Sequence, residues 1–234
     1  MLQIERQQDI LKILGERRSA TVKELCNELY ASPATIRRDL AALEEAGMLK
    51  RSFGGAVLND IFPDQMPISM RASEHISEKR RIAAKAASLI HPGDTIFIDA
   101  STTTFYLAPF LHGIPEITVI TNNPTLNLAL SEYNIRNFST GGEMLNSSAA
   151  LVGTSAEKYI NGIRAHSVFF SARGAGGGIA TDSSKGERDI KISMIENSKR
   201  HYFLCDTSKL DKEFTYVVTS LDKVDIITTE DTTA

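Results

Sequence analysis

Cysteine is scarce in this chain. Cys26 and Cys205 are the only two among 234 residues, far apart and without metal-ligand spacing. That excludes a disulfide framework or a zinc cluster, and no metal is expected. Each stands among apolar residues and reads as a reduced, buried thiol. Net charge is scarce too: 26 Lys and Arg against 29 Asp and Glu leave a formal −3, where nucleic-acid binders are usually basic. The balance is uneven, however, because Arg37, Arg38, Lys50 and Arg51 fall close together while many acidic residues lie further along. No apolar run approaches the ~20 residues that span a bilayer. The opening MLQIERQQDI has no apolar signal-peptide core. No membrane is therefore expected, and the cytoplasm is the expected location. With 42% hydrophobic and 24% charged residues the chain is ordinary for a globular protein, long enough for one large or two smaller domains.

The first sixty residues read as helices and a hairpin. Ile4, Ile10, Leu11 and Leu14 space an amphipathic helix that ends near Gly15. Thr21 and Glu24 make a capping-box pattern for a second helix, with Val22, Leu25, Cys26 and Leu29 on its inner face. Ser32-Pro33 opens a third, expected to run to about Ala46 before Gly47, since Ser favours the cap and Pro the first helical position. Two helices joined by a short turn make a helix-turn-helix. At ~100° per residue, Ile36, Leu40 and Leu43 form the buried stripe of the third helix. Arg38 then points away from that stripe, with Thr35 and Arg37 on its flanks. Such a helix presents its N-terminal residues to base edges, and Arg suits guanine or phosphate; an ordinary solvated face has the same pattern. Met48–Val57 reads as a basic hairpin turning at Gly54-Gly55, a wing in which Lys50 and Arg51 would meet phosphates.

Residues 59–70 have two prolines and no period and read as a linker. Arg71–Ile90 is helical in pattern. Strands then alternate with helices, at Thr95–Asp99, Ile117–Thr121, Ile135–Ser139, Ser167–Phe170, Tyr202–Cys205 and Val224–Ile227, with Ala149–Tyr159 and Lys185–Ser198 among the helices. That order predicts a mostly parallel sheet covered on both faces, with a ligand at the strands' carboxyl ends. Those ends are polar. Asp99 leads into Ser101, Thr102, Thr103 and Thr104 at a helix start, suited to a phosphate or to simple capping. Asn122 suits sugar hydroxyls or a turn; Gly142 suits a close backbone approach or a turn. The Gly-rich stretch Ser171–Gly178 lacks dinucleotide and P-loop spacing and reads as a flexible loop. Arg173 is a candidate anion partner, and Lys209 a phosphate contact or a surface lysine. No cofactor is expected.

TIRRDLAALEEAG followed by LKRSFGGA resembles the DNA-binding domain of DeoR-family regulators. Phe53 stands where their wing usually has His. HPGDTIFIDASTTT, the TNN turn and LCDTSKL resemble the same family's effector domain, whose fold is related to ribose-5-phosphate isomerase and glucosamine-6-phosphate deaminase. The resemblance implies that Asp99, Ser101–Thr104, Asn122, Gly142, Glu187, Lys191 and Lys209 fall at or near a sugar-phosphate pocket. Ser101 displaces the usual Gly of the first run, and SARGAGG replaces the usual Gly-Ala-Asn/Asp-Gly stretch.

The expected protein is α/β, with a winged helix-turn-helix at 1–58 (Ser32, Thr35, Arg37, Arg38, Lys50 and Arg51 on double-stranded operator DNA), a linker at 59–70 and an α/β sensor at 71–234. It reads as a repressor of a carbohydrate operon, relieved by a phosphorylated sugar and acting as a homo-oligomer, dimer or tetramer, rather than as an enzyme. The alternatives are an active sugar-phosphate isomerase or deaminase fused to a helix-turn-helix, and an architectural protein with a vestigial ligand domain. The first is disfavoured because no carboxylate follows Ser171 until Asp182.

Overall fold

The computed structural model describes residues 3–45, 48–58 and 68–229. The chain divides into two compact units, Met1–Met66 and Pro67–Ala234. The first contains α1 (Gln3–Arg17), β1 (Ser19–Thr21), α2 (Val22–Leu29), α3 (Pro33–Glu45), β2 (Leu49–Ser52) and β3 (Gly55–Leu58). Ile10, Leu14, Leu25, Ile36, Leu40, Leu43 and Leu49 are buried together as its core. The capping box is present in full: the Thr21 hydroxyl accepts from the Glu24 amide, and Glu24 accepts from the Thr21 amide. β1 was not legible in the sequence, because three residues are too few for an alternation. It pairs antiparallel with β3, completing a sheet of order β1-β3-β2. Ala46 and Gly47, the expected end of the third helix, lie outside the described residues.

The second unit is built on six parallel strands: β4 (Thr95–Ile98), β5 (Thr118–Thr121), β6 (Arg136–Ser139), β9 (Ala165–Phe170), β12 (Ser198–Leu204) and β14 (Asp225–Ile227), in the order β14-β12-β9-β4-β5-β6. Central strands are apolar on both sides because both faces are covered. Ile96 and Ile98 join a cluster with Ile82, Ala86, Leu111 and Leu126, supplied by α5 (Ile76–Ala87), α6 (Ala108–Leu111) and α7 (Pro124–Glu132). Phe97, Phe170 and Phe203 face the opposite cluster with α8 (Thr154–Asn161) and α9 (Lys185–Glu196), through Ile160, Ile190 and Met194. Burying each such Phe contributes about 1.5–3 kcal/mol. Parallel direction brings every strand's carboxyl end to one edge.

Several expectations are corrected. The helix expected at Arg71–Ile90 is two helices, α4 (Ile68–Ser73) and α5, broken where His75 takes a left-handed φ of 54°. Of the linker 59–70, residues 59–67 lie outside the described residues and 68–70 belong to α4. Within Ala149–Tyr159, residues 150–152 form β8, which pairs with β7 (Glu143–Leu145) before α8 begins. The Gly-rich stretch is not a flexible loop but part of an antiparallel sheet of β10 (Gly174–Gly176), β11 (Ile179–Asp182) and β13 (Tyr216–Ser220). Glycine is required there by close packing, since a Cβ on Gly174 would lie 2.2 Å from the Lys212 carbonyl oxygen. Cys205 is buried as expected, but Cys26 is only half-buried. Among the described residues no helix is long and apolar enough to cross a membrane.

Candidate functional site

Two groups of side chains carry the candidate chemistry, one in each unit. On α3, Ile36, Leu40 and Leu43 are buried, while Arg37 and Arg38 are exposed. Ser32 accepts from the Thr35 amide at 3.2 Å, and the two hydroxyls lie 2.9 Å apart. Ser32 and Thr35 thus fix the start of the helix and present the two arginines one turn later. Asp39, at 1% exposure, sits on the buried stripe three residues after Ile36. Its carboxylate accepts from Arg6 Nε of α1 at 2.6 Å. An acid on an apolar stripe requires a buried partner, and that spacing was the available signal for this pair. On the hairpin Lys50 is exposed. Arg51 donates from its backbone N–H and from Nε to Glu44 at the end of α3, at 2.8 and 2.6 Å. Those two bonds hold the Glu44 carboxyl below its ordinary range. Phe53 is fully exposed at the turn between β2 and β3.

In the second unit, the carboxyl ends of β4, β9 and β12 bring charged groups together. Asp99 is buried; its Oδ1 accepts from the Ser101 hydroxyl at 2.8 Å and lies 2.9 Å from the Thr104 hydroxyl. Its Oδ2 is 3.4 Å from Lys191 Nζ and has no hydrogen-bond partner among the described residues. Lys191 reaches in from α9 and donates to Asp182 Oδ2 at 2.8 Å. Burial opposes charge on Lys191, yet Asp182, Asp99 and Glu187 outweigh it and hold the ammonium well above its ordinary value. Beside this group, Lys209 Nζ donates to Thr103 Oγ1 at 2.7 Å and Ser171 Oγ at 2.6 Å, and lies 2.9 Å from Asp206 Oδ2. Burial would raise the Asp206 carboxyl, but Lys209 and the Ser208 hydroxyl bring it well below its usual range. Lys209 is therefore not a free surface lysine, and its three protons all have acceptors.

Thr102 is buried and lines a cavity of about 230 Å³ with Ser101, Asn123, Thr125, Phe105, Tyr106, Ile68 and Ala72. Asn122 and Gly142 are engaged elsewhere. The Asn122 amide donates to the Leu151 carbonyl at 3.0 Å, leaving its buried Oδ1 without a hydrogen-bond partner among the described residues. Gly142, at φ 113°, makes a close backbone approach rather than only a turn, and a Cβ would lie 2.5 Å from Val152 O. Arg173 is half-buried, with its amide donating to Thr181 O at 3.0 Å. Glu187 is buried in the first turn of α9, where its amide donates to the Ser184 cap.

Four charged residues of this unit were not singled out from the sequence. Asp182 and Asp206 pair with the two lysines. Arg71 and Lys79 come from α4 and α5. Lys79 is buried and donates from Nζ to the Arg71 carbonyl. Burial and the nearby Lys209 bring its ammonium down to about 8. The helical spacing that places Lys79 with Ile82, Ala83 and Ala86 was the signal for it. Arg71 is lowered to about 10, first by burial and then by Arg173, with Glu187, Asp182 and Asp99 opposing.

Residues 6–62 match the DeoR-like helix-turn-helix domain, and residues 74–231 match the DeoR C terminal sensor domain. The chain is 37% identical over 232 residues to the uncharacterized HTH-type transcriptional regulator YulB of Bacillus subtilis (strain 168), covering 97% of this chain and 89% of that one. It is 35% identical to the lactose phosphotransferase system repressor of Staphylococcus epidermidis, covering 91% and 86%. Among solved structures, eIF2B delta from Chaetomium thermophilum is similar in fold, with a TM-score of 0.51, 15% identity, and 68% of this chain and 58% of that chain covered.

Proposed function

The chain belongs to the DeoR family of DNA-binding transcriptional regulators, and on that premise we propose that it is a cytoplasmic repressor of a sugar operon, released from its operator by a phosphorylated sugar. The observation that carries this reading is the mixed charge at the sheet's carboxyl edge. Asp99 Oδ2 is a buried acceptor without a hydrogen-bond partner among the described residues, and a sugar hydroxyl satisfies such an atom. Arg173 and the lysines Lys191 and Lys209 supply positive charge for the phosphate. Ser101, Thr102, Thr103 and Thr104 shape the wall, and Glu187 lies within charge range of Lys191.

On the DNA side, Arg37 and Arg38 read base edges in the major groove, the Ser32–Thr35 turn sets the helix start, and Lys50 and Arg51 grip phosphates. A homodimer presents two recognition helices to successive major grooves. The ligand releases DNA by binding the DNA-incompetent state more tightly, at a coupling of about 1–3 kcal/mol. Calorimetry on the full chain with the phosphorylated and unphosphorylated forms of one sugar tests the pocket. Tighter binding of the phosphorylated form supports the reading, and equal affinity refutes it.

A further inference from the structure

We propose that Glu78 is a positioning residue of this pocket: its carboxylate holds the turn that carries Lys209, while the next residue, Lys79, holds the end of α4, so that α5 joins the pocket lysine to α4. The role presupposes a phosphorylated ligand at Lys209, as proposed above.

The first observation is the grip on the backbone that carries the lysine. Thr207–Lys209 is a single helical turn, and Asp206 stands at its cap position without making a side-chain cap bond. The Asp206 carboxylate faces Lys209, Ser208 and Thr103 instead. Glu78, in the first turn of α5, supplies the missing acceptor from far away in the chain. Its Oε1 accepts from the Thr207 amide at 2.7 Å and its Oε2 from the Thr207 hydroxyl at 3.1 Å. His75 Nδ1 lies 3.3 Å from the same Oε2. Glu78 is buried, and two bonds from one carboxylate to one residue fix both the place and the orientation of the turn. Lys209 depends on that, because an ammonium on a flexible stem is placed only as well as its backbone. Its contacts with Thr103 and Ser171, at 2.7 and 2.6 Å, leave little room for a shift.

The second observation is the grip on α4. The six residues Ile68–Ser73 are too few for a helix to stand alone, and the last carbonyls of a helix have no partner within it. Lys79 is buried, and its Nζ donates to the Arg71 carbonyl. The Tyr106 hydroxyl donates to the Ala72 carbonyl at 3.1 Å. Consecutive residues at the start of α5 thus hold two segments that are distant in the chain.

The consequence is mechanical. An anion that draws on Lys209 pulls on Thr207–Lys209, and through Glu78 on the first turn of α5. Lys79 passes that displacement to α4, the first described element after residues 59–67. Linkage requires only that the arrangement differ between the bound and free states. Charge and placement predict opposite signs here. Removing a carboxylate near an ammonium favours an anion by Coulomb attraction, whereas releasing the turn disfavours it.

The test uses the full chain, with inorganic phosphate as probe and chloride at equal ionic strength as control. Calorimetry gives affinity, thermal melts give stability, and hydrogen exchange follows residues 68–73. Wild type should bind phosphate and show slowed exchange there. Glu78→Ala should weaken phosphate binding about tenfold, the loss that removing an outer partner causes at metal sites. Glu78→Gln, which keeps an acceptor for the Thr207 amide, should stay within about threefold of wild type. Ile160→Val, a core change on α8, should lower the melting temperature and leave affinity unchanged, which separates placement from loss of stability. Lys79→Met at saturating phosphate should lose the response at 68–73. If Glu78→Ala does not fold, Thr207→Val replaces it: that change removes the hydroxyl alone and should weaken binding about threefold. Phosphate binding at wild-type strength or tighter in Glu78→Ala, or in Thr207→Val where it stands in, overturns the positioning role and leaves the phosphorylated-ligand reading standing. Glu78→Gln as weak as Glu78→Ala assigns the effect to charge and overturns the role equally. No binding by wild type overturns both readings. Binding without slowed exchange in wild type, or an undiminished response in Lys79→Met, overturns the link to α4.

Discussion

Arg51 on the hairpin and Glu44 at the end of α3 are joined by two hydrogen bonds, from the Arg51 backbone amide and from its Nε. The hairpin is thus tied to α3, while the Arg51 side chain stays half exposed. Arg51→Ala and Lys50→Ala should each lower affinity for specific and non-specific DNA alike, and each should reduce the salt slope by about one unit. Affinity measured by fluorescence anisotropy across a salt series checks this. Loss confined to the specific sequence would contradict a phosphate role.

Asp39 and Arg38 are neighbours with opposite expected behaviour. Asp39 is buried against Arg6, so Asp39→Ala breaks a buried ion pair and should cost about 3 kcal/mol or more of stability. Arg38 is exposed, so Arg38→Ala should leave the melting temperature unchanged while operator binding weakens by about 1–3 kcal/mol. Thermal melts and operator titrations on both variants separate the two roles; an unchanged affinity removes Arg38 from the interface.

Asp206 carries a pH signature. Its carboxyl is lowered in the folded state, chiefly by Lys209 against the opposing effect of burial. A lowered acid stabilises the fold above its unfolded value, ordinarily 3.8, and loses that contribution as pH falls further, through the folded value. Lys209→Met should therefore destabilise by about 3–5 kcal/mol at neutral pH, as breaking a buried pair does. The gap to wild type should narrow below about pH 4. Urea unfolding at several pH values measures it, and a gap independent of pH would contradict the pairing.

Lys79 differs in that the fold disfavours its charged form. Burial, then Lys209 and Arg71, lower its ammonium to about 8 from 10.5, against Asp206 and Glu74. Protonating it in the fold is costly, so the cost is full below pH 8 and is relieved as pH rises from 8 to 10.5. The stability of wild type relative to Lys79→Met should rise across that window in urea unfolding. A flat difference would mean that Lys79 titrates normally.

The parallel sheet was legible because its central strands are apolar on both sides, as at Ile96–Ile98 and Val168–Phe170. The β10–β11 ladder was not, because glycines chosen for backbone contact give no alternation of side chains. Nor was the break between α4 and α5, since His75 adopts a left-handed conformation that its residue type does not announce. Of the residues proposed for the pocket, Asp99, Ser101–Thr104 and Lys209 were visible from their places at strand ends, and Glu187 and Lys191 from family likeness alone. Asp182 and Asp206 were in view as sequence, but their pairing with lysines depends on strands far apart in the chain. Arg71 and Lys79 precede the sheet altogether, and only packing brings them to it.

The most direct measurement of the central claim is binding of the full chain to DNA from upstream of its own operon, titrated with a sugar and with the same sugar phosphorylated. The candidate sugars are those handled by enzymes encoded beside this gene. The expected result is that the phosphorylated form releases the DNA while the free sugar at the same concentration does not. Release by both forms equally, or by neither across those sugars, would contradict a phosphate-sensing repressor.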